Sequence, residues 1–137
     1  MNRITAILSA TFAVVLLFTG TVLASETIMS ADQLTVPAHK SWDRSFRLNV
    51  SASVRIEWSV EANKAIDVYV MTQEQDDAAS NGHEPTQQGV DFIRHSGGVA
   101  GRGYESVSLS NGVYSVVFRN VSDDPVAVWS VITGTRE

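Results

Sequence analysis

From residue 53 to residue 60 every second side chain is apolar. Val54, Ile56, Trp58 and Val60 alternate with Ser53, Arg55, Glu57 and Ser59. A period of two sends successive side chains to opposite faces of an extended chain, so this segment reads as a strand with one buried and one wetted face. A helix would scatter the same residues around its axis. The pattern recurs. Residues 45–50 set Phe46, Leu48 and Val50 against Arg47 and Asn49, and residues 65–72 set Ile66, Val68 and Val70 against Asp67, Tyr69 and Met71. Residues 113–119 and 126–133 alternate as well, but both of their faces are apolar, which predicts interior strands. Residues 33–36 form a short run stopped by Pro37, as at a strand end or sheet edge, and residues 104–109 form another strand.

Between these runs lie breakers. Ser110-Asn111-Gly112 predicts a tight turn with Gly112 at positive φ. Tyr114, just after it, is expected to be buried with its hydroxyl on a nearby backbone group. Residues 120–125 form the next turn, and the glycines at 97, 98, 101 and 103 mark a flexible turn region. Residues 73–89 are polar and acidic, with one or two helical turns expected over 73–80 and loop beyond. Short alternating strands separated by turns predict an all-β chain. The expected fold is an antiparallel β-sandwich, jelly-roll or immunoglobulin-like, of about seven or eight strands with one long polar insert.

Residues 1–24 depart from this pattern. Arg3 opens a short basic start, the apolar stretch is densest over residues 13–18, and Val22-Leu23-Ala24 offers a cleavage site. This is the layout of a secretory signal peptide. A membrane anchor needs about 20 mostly apolar residues, and Ser9, Thr11, Thr19, Gly20 and Thr21 interrupt the run. Residues 25–137 then form one domain, exported to a periplasm or the extracellular space. No later stretch reaches span length, so no membrane association is expected after cleavage.

The chain has 10 basic and 15 acidic residues, a net charge of −5; loss of Arg3 with the leader makes it −6. Scattered cations on an acidic chain are a poor match for nucleic acid, where clustered Lys and Arg supply most of the affinity. There are no cysteines, which excludes disulfides, a thiol nucleophile and thiolate metal sites. Of the residues, 44% are hydrophobic, enough for the core alone to hold the domain together.

The stretch Leu109-Ser110-Asn111-Gly112-Val113-Tyr114, followed by Asn120 and a last aliphatic strand, has the form Leu-x-x-Gly-x-Tyr-x-x-x-x-x-Asn. It resembles the GOLD (Golgi-dynamics) type of export-associated β-sandwich module over about residues 52–133. The resemblance implies a compact, non-catalytic module that binds protein or lipid partners. The chain lacks the C-terminal transmembrane helix, coiled coil and cysteine pair of the trafficking members, so their role is not carried over.

Three aromatics are candidate ligand contacts. Tyr69 and Trp129 lie on the faces of their strands opposite the expected core, and Trp42 sits between Ser41 and Asp43, which suggests partial exposure. For a metal, Asp76, Asp77, His83, Glu84 and Asp91 share one segment. Their spacing matches neither a zinc helix motif nor a calcium loop, and a solvated acidic insert explains them more simply. No Gly-x-Ser-x-Gly elbow is present. Glu57 and Asp67 would make a carboxylate pair if their strands were neighbours. Asn49-Val50-Ser51 and Asn120-Val121-Ser122 match the N-glycosylation pattern.

The reading these residues favour is an exported, non-catalytic sandwich without a cofactor. It would bind a protein or other ligand, as a monomer or a homo-oligomer. A carbohydrate-binding, lectin-like module is one alternative. A small metal-dependent hydrolase centred on residues 73–95 is the other.

Overall fold

A computed structural model describes residues 14–16, 26–80 and 91–137. In chain order the elements are β1 (Val14–Leu16), β2 (Glu26–Val36), β3 (Ser41–Leu48), β4 (Ala52–Val60), β5 (Ala65–Thr72), α1 (Gln73–Ser80), β6 (Arg94–Ala100), β7 (Arg102–Leu109), β8 (Gly112–Arg119) and β9 (Val126–Arg136). They form two sheets, β1-β3-β8-β5-β6 and β2-β9-β4-β7. All pairs are antiparallel except β1 with β3, where Val14–Leu16, inside the segment read as a leader, runs parallel to Phe46–Leu48.

The fold is an antiparallel β-sandwich. Of the connections from β2 onward, only β5 to β6 stays within one sheet; each of the others crosses to the opposite sheet. Such crossing is the jelly-roll connectivity, which decides against the immunoglobulin-like form. As the sequence predicts, the two strands apolar on both faces are interior: β8 lies between β3 and β5, and β9 between β2 and β4.

The alternation of β4 closes the core from one side. Val54, Ile56, Trp58 and Val60 face inward with Val126, Val128 and Ile132 of β9, against Phe46, Leu48, Val68, Val70, Val116 and Phe118 of the other sheet. A second, smaller cluster lies outside the five-stranded sheet, where Tyr69, Met71 and Val117 are covered by Ala79 of α1. This explains the apolar outer residues of β5 and β8.

Two strands are longer or more regular than the sequence suggests. β2 begins at Glu26 rather than near residue 33, and a bulge between Ile28 and Ser30 breaks its alternation. The glycine-rich region expected to be a turn instead forms most of β6 and the start of β7, joined at Gly101. A register shift opposite Asp67 accommodates Gly97 and Gly98, and the Gly98 N–H donates to Asp67 Oδ1 at 2.7 Å.

The turn at Ser110-Asn111 is a corner between the sheets rather than a hairpin, since β7 and β8 lie in different sheets. Gly112 has φ of 156°, and a Cβ there would stand 3.3 Å from the Tyr114 hydroxyl. Tyr114 is buried, and its hydroxyl donates to the Ser110 carbonyl at 2.9 Å. Tyr114→Phe is expected to lose about 1 kcal/mol while preserving the fold, read as a lower urea midpoint with an unchanged slope. No change in midpoint would show that this bond contributes nothing.

Asn120 fixes the next crossing. Its Nδ2 donates to the carbonyls of Asp124 (2.7 Å), Val36 (3.0 Å) and Pro37 (3.2 Å), and its Oδ1 accepts from the N–H and hydroxyl of Ser122 (2.9 and 2.7 Å). The side chain is fully buried. It therefore ties the turn after β2 to the turn after β8.

Candidate functional site

The outer face of the four-stranded sheet carries the candidate site. Because Trp58 faces the core, Arg55, Glu57 and Ser59 of β4 face outward. Pairing sets Ser59 between Trp129 of β9 and Arg102 of β7, and Glu57 between Val131 and Tyr104. These residues line a cleft of about 610 Å³. Trp129 is 57% exposed and Tyr104 is 56% exposed, high values for large aromatics in a protein with a well-filled core.

The charges in the cleft are arranged unevenly. The Arg55 guanidinium lies 3.8 Å over the Tyr104 ring, a cation–π contact that occupies one ring face. Arg55 Nε is 3.0 Å from Glu57 Oε2 but off the hydrogen-bond axis, so this is an ion pair without a directed bond. Both side chains are nearly half exposed, where such a pair contributes little to stability. Arg102 is exposed, and its side chain has no hydrogen bond or ion pair among the described residues.

Of the aromatics singled out in the sequence, Trp129 lies in this cleft and the other two lie elsewhere. Trp42 is buried, not partly exposed. β3 starts at Ser41, so its inward set is Trp42, Arg44, Phe46 and Leu48. The Trp42 ring packs 6.2 Å from Phe118, under the Arg44 guanidinium. Tyr69 does face away from the main core, but α1 and the strand beside it cover it. His95 stacks on its ring at 4.2 Å and Phe92 meets its edge at 5.5 Å. No local feature of the sequence marks Tyr104, Arg55, Glu57 or Arg102 as a ligand contact. Counting alternate residues through β4 and β7 places them on one side of each strand, but only the pairing of β7, β4 and β9 makes that side a common face.

The acidic insert is not uniformly solvated, which corrects the sequence expectation at Asp76. Asp76 is buried on the face of α1 that meets the sheet, accepts a 2.8 Å hydrogen bond from the Ser115 hydroxyl, and is hydrogen-bonded to the Asp43 carboxyl. Burial first, and the Asp43 carboxyl second, push the Asp76 carboxyl up to about 8. The Asp76 carboxyl therefore favours its protonated form at neutral pH. Asp77 is exposed and accepts from Gln73 Nε2, and Asp91 is exposed. His83 and Glu84 lie outside the described residues. Among the described residues no three metal-ligating side chains converge. Glu57 and Asp67 stand on different sheets and make no catalytic pair.

A carboxyl raised in the folded state makes that state bind the extra proton. Its stabilisation is complete below the unfolded value near 4 and is lost as pH rises through about 8. Between those limits Asp76 should contribute a decline of up to about 1.4 kcal/mol per pH unit. Asp76→Asn is expected to remove that slope. Urea unfolding of both proteins at pH 5 and pH 8 measures the difference, and parallel pH profiles would refute the raised Asp76 carboxyl.

Comparison with known proteins reveals kinship of fold alone. No family model matches the chain, and no curated protein matches it. The pre-peptidase C-terminal domain of a Bacillus anthracis collagenase superposes with a TM-score of 0.52 at 5% identity, over 80% of this chain and 89% of that one. A carbohydrate-binding module of Cellvibrio mixtus lichenase 5A, solved with cellotriose, gives 0.43 at 11% identity over 81% and 97%. The Aeromonas hydrophila periplasmic inhibitor of g-type lysozyme gives 0.43 at 11% identity over 88% and 94%. At such identities the first of these shows a shared sandwich architecture and nothing about ligands.

Proposed function

We propose that the chain is an exported, non-catalytic binding module that takes a carbohydrate on the outer face of the four-stranded sheet. The observation that carries this reading is the pair of half-exposed aromatics, Trp129 and Tyr104, on one open face beside Arg55, Glu57, Ser59 and Arg102. Sugar rings present apolar C–H faces and a rim of hydroxyls. An aromatic platform answers the first, and a few fixed polar groups answer the second. The leader-like residues 1–24 support export, and no helix among the described residues is long and apolar enough to cross a membrane.

The test is titration of the protein with a panel of soluble oligosaccharides. Calorimetry measures affinity, and tryptophan fluorescence reports the site. Of the three tryptophans, Trp42 is buried away from the cleft and Trp58 is buried in its lining, so comparison with Trp129→Ala assigns a ligand-dependent change to Trp129. Trp129→Ala is expected to weaken binding by about tenfold or more, equivalent to about 1.4 kcal/mol, with a melting temperature close to wild type because the side chain is exposed. Failure of every saccharide to bind, or undiminished binding by Trp129→Ala, would remove this reading.

A further inference from the structure

We infer that the cleft selects an acidic saccharide, one whose ring lies on Trp129 while a carboxylate substituent is held by Arg102. The inference rests on the carbohydrate reading above and adds the class of sugar. Its basis is the placement of charge. The cleft residues include two guanidinium groups and one carboxylate, on a chain whose net charge is −5. The cleft is thus locally cationic on an acidic protein, which steers an anion toward this face and disfavours it elsewhere.

The two arginines differ in what they have left to offer. Arg55 is committed to the Tyr104 ring and to Glu57. Arg102 has no side-chain partner among the described residues, and its planar fork of donors matches a carboxylate bidentately. Ser59 lies between Arg102 and Trp129 in the ladder, and its short side chain leaves the floor between them low. Two ladder spacings separate the outer strands by about 9–10 Å. A ring stacked on Trp129 can therefore direct an acidic substituent across Ser59 to the guanidinium. Glu57, beside this path, repels a second carboxylate and so limits how densely charged the ligand can be.

The experiment compares four trisaccharides of one linkage: a uronic-acid form, its methyl ester, the neutral parent and a sulfate ester of the parent. Each is titrated by calorimetry into wild type, Arg102→Gln, Arg102→Lys and Trp129→Ala. The uronate is expected to bind wild type about tenfold tighter than its methyl ester or the neutral parent. That advantage should shrink as salt rises from about 20 to about 200 mM. Arg102→Gln should bring the uronate down to the level of the ester, so that the ratio of the two affinities falls from about ten to about one. Arg102→Lys should restore part of the loss, since it keeps charge without the fork. Trp129→Ala should weaken all four. Equal binding of uronate and ester, or a preference that survives Arg102→Gln, overturns the acidic-sugar inference and leaves the carbohydrate reading standing. Tighter binding of the sulfate ester than of the uronate overturns the choice of carboxylate. Binding of none of the four, with none in the wider panel, overturns both readings together.

Discussion

Trp58→Ala is expected to destabilise the domain by about 3–5 kcal/mol, a large part of the 5–15 kcal/mol typical of a natural domain. The indole is buried on the inner face of β4, where its neighbours across the ladder are Gly103 on one side and Ser130 on the other. A Cβ on Gly103 would lie 2.9 Å from the indole Nε1, so the ring covers the backbone of the edge strand and fills the space a side chain would take. Truncation leaves a cavity that neither small neighbour can close. Gly103→Ala should itself destabilise by pushing the indole away, and it should do so only when Trp58 is present. Urea unfolding of the two single variants and the double variant measures this coupling. A Trp58→Ala loss below about 1 kcal/mol would mean that the cavity collapses at little cost.

Asp32→Ala should be comparably damaging, for an electrostatic reason. Asp32 of β2 and Arg44 of β3 join the two sheets through a two-pronged pair, Nη2 to Oδ1 at 2.6 Å and Nε to Oδ2 at 3.1 Å. The Arg44 side chain is only 8% exposed, so removing this carboxylate takes the two-pronged partner from a charge in a poorly solvated place. Breaking a buried pair from one side costs about 3–5 kcal/mol. The pair as a whole contributes far less, because both groups lost hydration on folding. Replacing both partners, Asp32→Leu with Arg44→Met, should therefore recover most of the stability that Asp32→Ala loses. If the double replacement is as unstable as the single, the pair contributes more to stability than its desolvation cost removes.

What was legible in the sequence followed period and turn chemistry. The strands at β4, β5, β8 and β9 could be read because their apolar sets repeat every second residue, and the corner at Gly112 because Asn-Gly and a following Tyr have a known use. β2 and β6 were obscured by the same device: an extra residue in the ladder shifts the alternation partway along the strand. The polar flanks Ser41 and Asp43 suggest exposure for Trp42, although stepping back by twos from Phe46 leads directly to it as an inward residue. The site was half legible. Trp129 could be seen to face away from its core-facing neighbours. Its companionship with Tyr104 depends on two strands meeting across β4, a register that no local window contains. The Asp32–Arg44 pair and the burial of Asp76 against Ser115 of β8 are likewise matters of tertiary position.

The buried amide of Asn120 bears on how the protein can be produced. Asn120-Val121-Ser122 is an acceptor sequence for N-linked glycan. In a eukaryotic secretory pathway the sugar is attached while the chain is still unfolded, before burial can protect the nitrogen. That nitrogen is the one that reaches Val36, Pro37 and Asp124, so a glycosylated chain could not close the crossing between its last two strands. Asn49, in the other acceptor sequence, is exposed and leaves room for a glycan. Recombinant material from yeast or mammalian secretion would thus divide into a folded fraction unmodified at Asn120 and a modified fraction retained as misfolded, whereas a bacterial host would yield a single species.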